Sequence, residues 1–594
     1  MPSKNSIAIL PFLNISPDPE NEYFSDGITE EIINALCRFE VLQVTSRTSS
    51  FSFKKQHIDI REIGRKLGVY YLLEGSIRRS GEKVRITAQL IKAEDGFHLW
   101  SESWNRELKD IFILQDEIAN LIAGRINSKI KPVELNSETV IENTLALDHY
   151  LKGQHLLNNF VVIKKNEMLA HYEKAIALDP DFEKAYMGLC NAYTWLSSVG
   201  AFDPTEANRK VEDNLKILMR LNPNTPEIYL LIAGKNYWID WDMQLAYENI
   251  SRSIELKPGE ANSYVQKGLI FMVTGALDEA FEALYHAQRL NPYDEVTDYL
   301  TGFLFSLINE NDKAMERVSK SYQTLSLWDA HFFLSVETLC KLGRFDEAWD
   351  IICKKEKREN FEYLIPYIKG LYYSIKGEPD KTSNEIAQLE SILDANPQPG
   401  MPFYYYMSKV YVYLGNKAKA LYYFEKSLQF KSTPVLFAKI DCIFDGLRYD
   451  EIFQNILGKY KFEVNASASA KAKYKRSELS PELVNMIDNK INDLMKLQKP
   501  YLNPQLNSPD LAEMIDITTN QLSQFLNEHR NKNFYDYINS FRLQEFLRLS
   551  KAPGFKHLSI LGLALESGFN SKTTFNGFFK REMGVTPSEY FKGK

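Results

Sequence analysis

The middle of the chain repeats at a fixed step, and a fixed step leaves few folds open. Short closing signatures recur: ALDP at 177–180, RLNP at 220–223, ELKP at 255–258 and RLNP at 289–292. Pro258 and Pro292 stand 34 residues apart, Gly275 and Gly343 stand 68 apart, and Ala280, Ala314 and Ala348 keep the 34-residue step. TGALDEAFEAL (274–284) and LGRFDEAWDII (342–352) are near copies. Proline closes a helix because it lacks a backbone N–H, and alanine lets two helices cross closely. Each unit reads as a pair of amphipathic helices that cannot cover its own apolar face, so neighbouring units stack and share a core. About eight or nine such units fit between residues 144 and 460. A helical domain without internal repetition would not keep both the proline and the Ala–Gly positions in step.

The period and its small residues resemble the tetratricopeptide repeat. The unit at 182–223 is stretched, with AFDPTEAN inserted between its helices. The repeats are rich in tyrosine, as in FYYYMSKVYVYLG (403–415) and ALYYFEKSL (420–428). Tyrosine can line a peptide groove, but packing between repeats is the expected role for most of these.

Residues 1–130 read differently. Strand-like runs at 7–12, 42–47, 70–78, 83–92 and 97–104 alternate with helical patterns at 24–39, 58–67 and 111–126. Ser25 or Asp26 is the expected N-cap of the first helix, and Gly68 the close of the second. Strands alternating with helices imply a small α/β sheet domain. IAILPF, YFSDGITEEI, EIGRKLGVYYLLEGSIRRSGEKVRITAQLI and DGFHLWSESWNREL with IFILQDEIA resemble the TolB-amino-terminal-like domain. Such domains precede repeat arrays in some bacterial adenylate cyclases and transcription regulators. The resemblance implies no ligand for it.

The end of the chain carries the chemistry. In HLSILGLALESGFNSKTTFNGFFKREMGVTPSEYF (557–591), Phe575, Phe578 and Phe579 form one apolar stripe of a helix that follows a turn at Gly568–Phe569. Lys572, Thr573, Asn576 and Lys580 are short polar or basic side chains suited to a DNA major groove. An earlier stretch, SPDLAEMIDITTNQLSQFLNEHR (508–530), has the same form, with Leu522, Phe525 and Leu526 as the stripe. The helix 533–552 joins the two, with Phe534, Tyr537, Ile538 and Phe541 as its core face. GF-x-S-x-x-x-F-x-x-x-FK and G-V-T-P-S-E-Y resemble the AraC/XylS family of bacterial transcription regulators, over roughly residues 482–594. The resemblance implies two helix–turn–helix units that enter successive major grooves. It places Asn520, Ser523, Gln524, Lys572, Thr573 and Asn576 where family members read bases, with Arg530, Lys532, Lys580 and Arg581 on phosphates. Two positions depart from the family pattern. Asp516 replaces the usual turn glycine, and Gly577 replaces a longer side chain, so one base contact is expected to be missing.

Charge agrees with DNA contact at one end. The chain carries −7 overall, yet from Thr519 to Lys594 there are eleven Lys/Arg against six Asp/Glu, a local +5 that leaves −12 on the rest. Residues 461–480 read as a linker whose Lys471, Lys473, Lys475 and Arg476 repel one another. Five scattered cysteines without a C-x-x-C pattern point to reduced thiols and a cytoplasmic protein, and no apolar run is long enough to span a membrane. Neither a metal nor a cofactor is expected.

The fold class expected is therefore multidomain: an α/β domain (1–130), an all-α tetratricopeptide-type solenoid (144–460), the linker, and an all-α double helix–turn–helix domain (481–594). The function expected is a non-enzymatic, sequence-specific transcription regulator. Its partners are promoter DNA and a protein or peptide on the repeats. A homo-dimer would have to form through the repeats or the head, since there are no coiled-coil heptads. Two other readings compete. One is an enzyme using Asp26, Glu30 and Glu31, or His98 with Glu102. The other is an interaction scaffold whose helix–turn–helix has lost DNA affinity.

Overall fold

The computed structural model describes the chain from Ser3 to Lys592, apart from residues 19–20, 40, 57, 129, 131–142, 160–161, 292–293, 324–328, 357–364, 396–402, 459–461, 465–479, 505, 507, 531–533, 553, 555–557, 570–571 and 584. For some helical residues only the backbone is described. The linker's basic residues therefore lie outside the described residues. Two compact units result, Met1–Val464 and Asn465–Lys594.

In the first unit, β1 (Ser6–Ile9) lies between β3 (Gln43–Val44) and β4 (Tyr71–Ser80), parallel to both. The short β2 (Leu13–Asn14) also pairs with β4 in parallel. Antiparallel β5 (Lys83–Lys92) and β6 (His98–Glu107) extend the sheet, giving the order β3-β1-β4-β5-β6. Side chains of β1 alternate between two faces. Ile7 and Ile9 join a core with α1 (Glu22–Leu36), while Ala8 and Leu10 meet Ile63 and Leu67 on the other side. The short helix α2 (Arg47–Phe51) has no counterpart in the sequence reading. The helix Ile60–Leu67, α3, starts at Asp59, which accepts from Arg61 N, and ends at Gly68 in the left-handed region (φ 64°). The expected N-cap of α1 is corrected: the helix starts one turn earlier, after Asn21, and both Ser25 and Asp26 are buried inside it. Asp26 accepts from Lys54 Nζ at 2.5 Å and lies 3.6 Å from His155 Nδ1.

The helix Ile111–Ile126, α4, leads to the array, whose first helix is α5 (Thr144–Asn158). Among the described residues, eight helix pairs follow, their first helices beginning at Thr144, Glu183, Pro226, Ala261, Glu295, Asp329, Ile365 and Phe403. Ala280, Ala314 and Ala348 are fully buried where the pairs cross, as the 34-residue step requires. The inserted segment at 201–208 becomes a helix start, with Asp203 capping Pro204–Leu221 by accepting from Glu206 N at 2.9 Å. The tyrosines mostly pack between repeats: Tyr367 stacks on Tyr406 at 4.5 Å, and Tyr411 donates to Glu390 at 2.6 Å.

The sheet domain and the array are not independent. One hydrophobic core runs from Ile7 and Phe24 through Leu114 and Ile118 to Leu147, Tyr172 and Leu231. Gly27 allows the close approach of α1 to α5, since a Cβ there would sit 2.5 Å from Leu151 Cδ2. Charges line the same seam. Arg79 donates to Asp148 at 2.5 Å, and Glu31 pairs with Lys184.

Deeper in the array, Glu337 accepts from Lys409 at 2.7 Å and pairs with Lys341 at 2.9 Å, with Asp441 at 3.5 Å from Lys409. Burial pushes the Glu337 carboxyl up, but the two ammonium groups overcome it and hold the carboxyl well below the usual carboxylate range. Removing one partner of such a cluster strands buried charge. Glu337→Gln is expected to destabilise the first unit by about 3–5 kcal/mol in urea denaturation. The same change at Glu347, paired with Arg344 at the surface, should leave the midpoint where it was.

Candidate nucleic-acid interface

Each helix–turn–helix is built from a short helix, a turn and a longer helix. The first comprises Ser508–Met514 and Thr519–Arg530, and the second Ile560–Glu566 and Lys572–Met583. Both turns need a left-handed residue. Asp516 supplies it in the first (φ 59°) and Gly568 in the second (φ 91°). A short polar side chain tolerates this backbone, so the Asp516 turn keeps its form. Two helix starts carry reciprocal caps. Thr518 Oγ1 accepts from Gln521 N at 3.2 Å while Gln521 Oε1 accepts from Thr518 N at 2.9 Å. Thr586 and Glu589 do the same at 3.3 and 2.8 Å, with Pro587 first in the helix. The T-P-S-E motif is thus a capping box.

The stripes seat as the spacing predicts. Leu522, Phe525 and Leu526 are buried with Leu511, Ala512 and Ile515. Phe575, Phe578 and Phe579 are buried with Leu563, Ala564 and Phe569, and Phe546 meets Phe575 at 4.5 Å. The connector Phe534–Leu549 serves both cores. Phe534, Tyr537 and Ile538 belong to the first; Leu543, Phe546 and Leu549 belong to the second. Phe541 is only partly buried against the first core.

Between the two cores the connector turns polar. Asn539, Arg542 and Glu545 are buried at successive three-residue steps. Arg542 donates from Nε to Tyr501 O at 2.8 Å, from Nη2 to Asn503 O at 2.9 Å and from Nη1 to Asn539 Oδ1 at 3.1 Å. Glu545 accepts from Arg548 at 2.8 and 2.9 Å and lies 3.5 Å from Lys499, and these cations hold its carboxyl below the usual range. The loop gripped by Arg542 also touches the second turn. A Cβ on Gly568 would lie 2.3 Å from Tyr501 O and 2.8 Å from Leu502 Cα. One loop therefore contacts the connector and the second helix–turn–helix at once, which fixes the two modules relative to each other. Sequence reasoning missed this clamp. Its signal was a cation, Arg542, four residues from Ile538 and four from Phe546, on the apolar face of the helix.

The sequence-predicted contact residues fall as follows. Asn520, Ser523 and Gln524 lie in Thr519–Arg530, and Lys572, Thr573, Lys580 and Arg581 in Lys572–Met583, with side chains outside the described residues. Lys532 lies wholly outside them. Asn576 is described and half-buried. Arg530 is ion-paired with Asp488 of the helix Pro481–Leu497, and its guanidinium stands 5.5 Å from the Phe525 ring. A phosphate at Arg530 would have to share it with that carboxylate.

The competing catalytic groups do not assemble. Asp26 is bound to Lys54, Glu30 to Arg47 at 3.1 Å and Glu31 to Lys184, all at or beside the seam with the array. His98 and Glu102 lie four residues apart on β6, roughly 13 Å along the strand, too far to share a proton. The five cysteines are free thiols. Among the described residues no helix is long and apolar enough to cross a membrane.

Comparison with known proteins agrees with this geometry. Residues 511–593 match the family described as a helix-turn-helix domain, and residues 3–121 match the second domain of HilA/YgeH-like transcriptional regulators. The C-terminal unit is thus a helix–turn–helix domain of the AraC type. The chain is 38% identical over 192 residues to putative adenylate cyclase 3 of Rhizobium meliloti (strain 1021), covering 32% of each chain. It is 24% identical over 306 residues to the transcriptional regulator HilA of Salmonella paratyphi A, covering 49% of this chain and 52% of that one. The chain thus spans between a third and about half of the length of these relatives. A tetratricopeptide repeat protein from Parabacteroides merdae superposes with a TM-score of 0.31 at 14% identity, over 40% of this chain and 93% of that one.

Two substitutions test the clamp. Gly568→Ala forces a strained backbone and a contact with Tyr501 O, and should destabilise the C-terminal unit by about 2–4 kcal/mol. Arg542→Met keeps the stem but leaves the buried Tyr501 carbonyl without its donor, at a cost of about 1–3 kcal/mol. Chemical denaturation of both variants checks these values. The Glu545 carboxyl adds an acid dependence. Its folded pKa is depressed, so its contribution is present above the unfolded value of about 4.3 and fades as pH falls through the lower folded value. Glu545→Gln should flatten the acid limb of a stability–pH curve for this unit.

Proposed function

We propose that the chain is a cytoplasmic, non-enzymatic transcription regulator that reads promoter DNA with both helix–turn–helix modules, under the control of the sheet domain and the repeat array. The observation that carries the reading is the shared connector. Two recognition helices seated on one rigid helix, and clamped by one loop, present paired reading heads suited to successive major grooves. Asn520, Ser523, Gln524, Lys572, Thr573 and Asn576 are the proposed base readers. Lys532, Lys580 and Arg581 are the proposed phosphate contacts, and Arg530 joins them by exchanging Asp488 for a phosphate. The similarity to a regulator and to a regulator domain supports this. The similarity to a putative cyclase belongs to a relative of which only a third is matched.

The body is proposed to regulate and not to add DNA affinity, because its net −12 repels a phosphate backbone. Selection of bound sequences from random DNA, with the whole chain and with a fragment from about residue 478, tests the reading. The fragment should bind as tightly as the whole chain or more tightly. Lys572→Ala or Asn576→Ala should weaken specific binding by about 1–3 kcal/mol and relax preference at one or two bases. Arg581→Ala should weaken all sequences alike and lower the salt slope by about one unit. A folded fragment with no sequence preference would leave the scaffold reading in its place. A large loss of affinity on removing the body would show that the body holds the protein on DNA, most simply as a dimer.

A further inference from the structure

After the last helix of the array, Lys417–Gln429, the chain turns at Lys431, a non-glycine residue in the left-handed region (φ 50°), and doubles back across helices formed much earlier in the chain. Lys431 Nζ donates to Ile239 O at 2.8 Å and stands 5.7 Å from the Trp241 ring. Thr433 Oγ1 donates to Ser198 O at 2.7 Å. Lys439 Nζ donates to Thr274 O at 2.6 Å, and its stem crosses Gly275, where a Cβ would lie 3.3 Å from Lys439 Cε. Cys442 Sγ lies 3.9 Å from Ser306 O. Phe437 meets Phe303 edge to face at 5.2 Å, and Val435, Leu436 and Ala438 are buried between the flanking contacts.

The four acceptors have one thing in common. Ser198, Ile239, Thr274 and Ser306 sit at the C-terminal ends of the first helices of four consecutive pairs. Helix ends leave carbonyls without intrahelical donors, and they carry the negative end of the helix dipole. Stacking the pairs lines these ends up as a row of acceptors with apolar surface between them. Lysine and hydroxyl donors separated by apolar residues are the matching chemistry, and KSTPVLFAKID (431–441) has it. The helix pairs stack through their own apolar faces, and the segment adds one polar tie to them at its end, where Asp441 accepts from Tyr405 at 2.7 Å and lies 3.5 Å from Lys409. Its ends are held independently, by Lys417–Gln429 on one side and on the other by Phe444 packed against Phe424 and Phe453.

We propose that the row of helix ends is a peptide-binding strip, occupied in this structure by the chain's own residues 431–441, and that it accepts in their place a partner segment with two basic residues flanking an apolar run. The proposal deepens the reading that the array receives a partner. A partner must compete with the strap, so its apparent affinity falls by the fraction of molecules in which the strap is open.

The test uses the whole chain and a labelled synthetic peptide of residues 431–441. The double variant Lys431→Ala/Lys439→Ala weakens the strap and leaves the strip untouched. It should bind the peptide at least about ten-fold more tightly than the unsubstituted chain, and a peptide with both lysines changed to glutamate should bind neither. Hydrogen exchange on the unsubstituted chain gives a second measurement that does not depend on the variant folding. Amides of 435–441 should exchange through an opening separate from that of Phe403–Tyr413 and Lys417–Gln429. Equal peptide binding to both chains, binding to neither while the helices stay protected, or strap amides that exchange only together with those two helices would each overturn the proposal. Neither readout involves DNA, so failure here is distinct from failure of the DNA-binding reading.

Discussion

A pair of amphipathic helices carries more apolar surface than it can bury by itself, and its ends carry more carbonyls than it has donors for. Most of the first unit follows from these two constraints. Stacking answers the first along the array, and at the beginning of the array the sheet domain answers it. Helix α1 packs against both α4 and α5, and the core continues from Ile9 to Leu231 without a break. The second constraint is answered by glycines in the left-handed region at Gly275, Gly343, Gly377 and Gly415, and by donors from a distant part of the chain at Ser198, Ile239 and Thr274. A terminal unit of a repeat array normally needs a cap, and here a whole α/β domain supplies it.

The C-terminal unit meets a different demand. Two recognition helices must keep a fixed relation, yet each needs a core of its own. A single helix shared by two cores solves this only if the helix is held at its middle, where neither core reaches. Arg542 and Asn539 hold it there through the carbonyls of Tyr501 and Asn503. A guanidinium suits the position because its planar fork can serve several acceptors at once. Gly568 is the counterpart on the second module, since any side chain there would push the loop away from the turn.

Features with a local physical signature could be read from the sequence, and features that depend on distant contacts could not. The 34-residue step gave the helix pairs, because burial of Ala280, Ala314 and Ala348 recurs wherever a pair crosses. Asp516 could be read as a turn residue because φ is a local property. Phe575, Phe578 and Phe579 could be read as a seat because helical spacing is local too. The shared core between sheet domain and array was not visible, because nothing in Gly27 announces Leu151 as its neighbour. Asp26 looked like a cap and is instead a buried partner of Lys54, which is 28 residues away in the chain. The pairing of Arg530 with Asp488 was hidden in the same way, so a charge read as free for DNA already has a neighbour. The candidate base readers rest on spacing and resemblance, while the clamp that positions their helices rests on geometry that no short window contains.

The clamp also bears on how two weak readers make one specific one. A single helix–turn–helix makes few base contacts, and sequence preference grows when a second module binds the same molecule of DNA. The gain depends on the effective concentration of the second module at its half-site, which is highest when the tether matches the span and is stiff. A flexible hinge between the modules would lose orientational freedom on binding and give up part of that gain. The connector has lost that freedom already on folding, through two cores and the buried Arg542. In the proposed reading of DNA, its stiffness is therefore part of recognition, although Arg542 is buried in the protein interior. A change that loosened this position would lower affinity for a paired site far more than for either half-site alone, and would do so with every proposed base reader still in place.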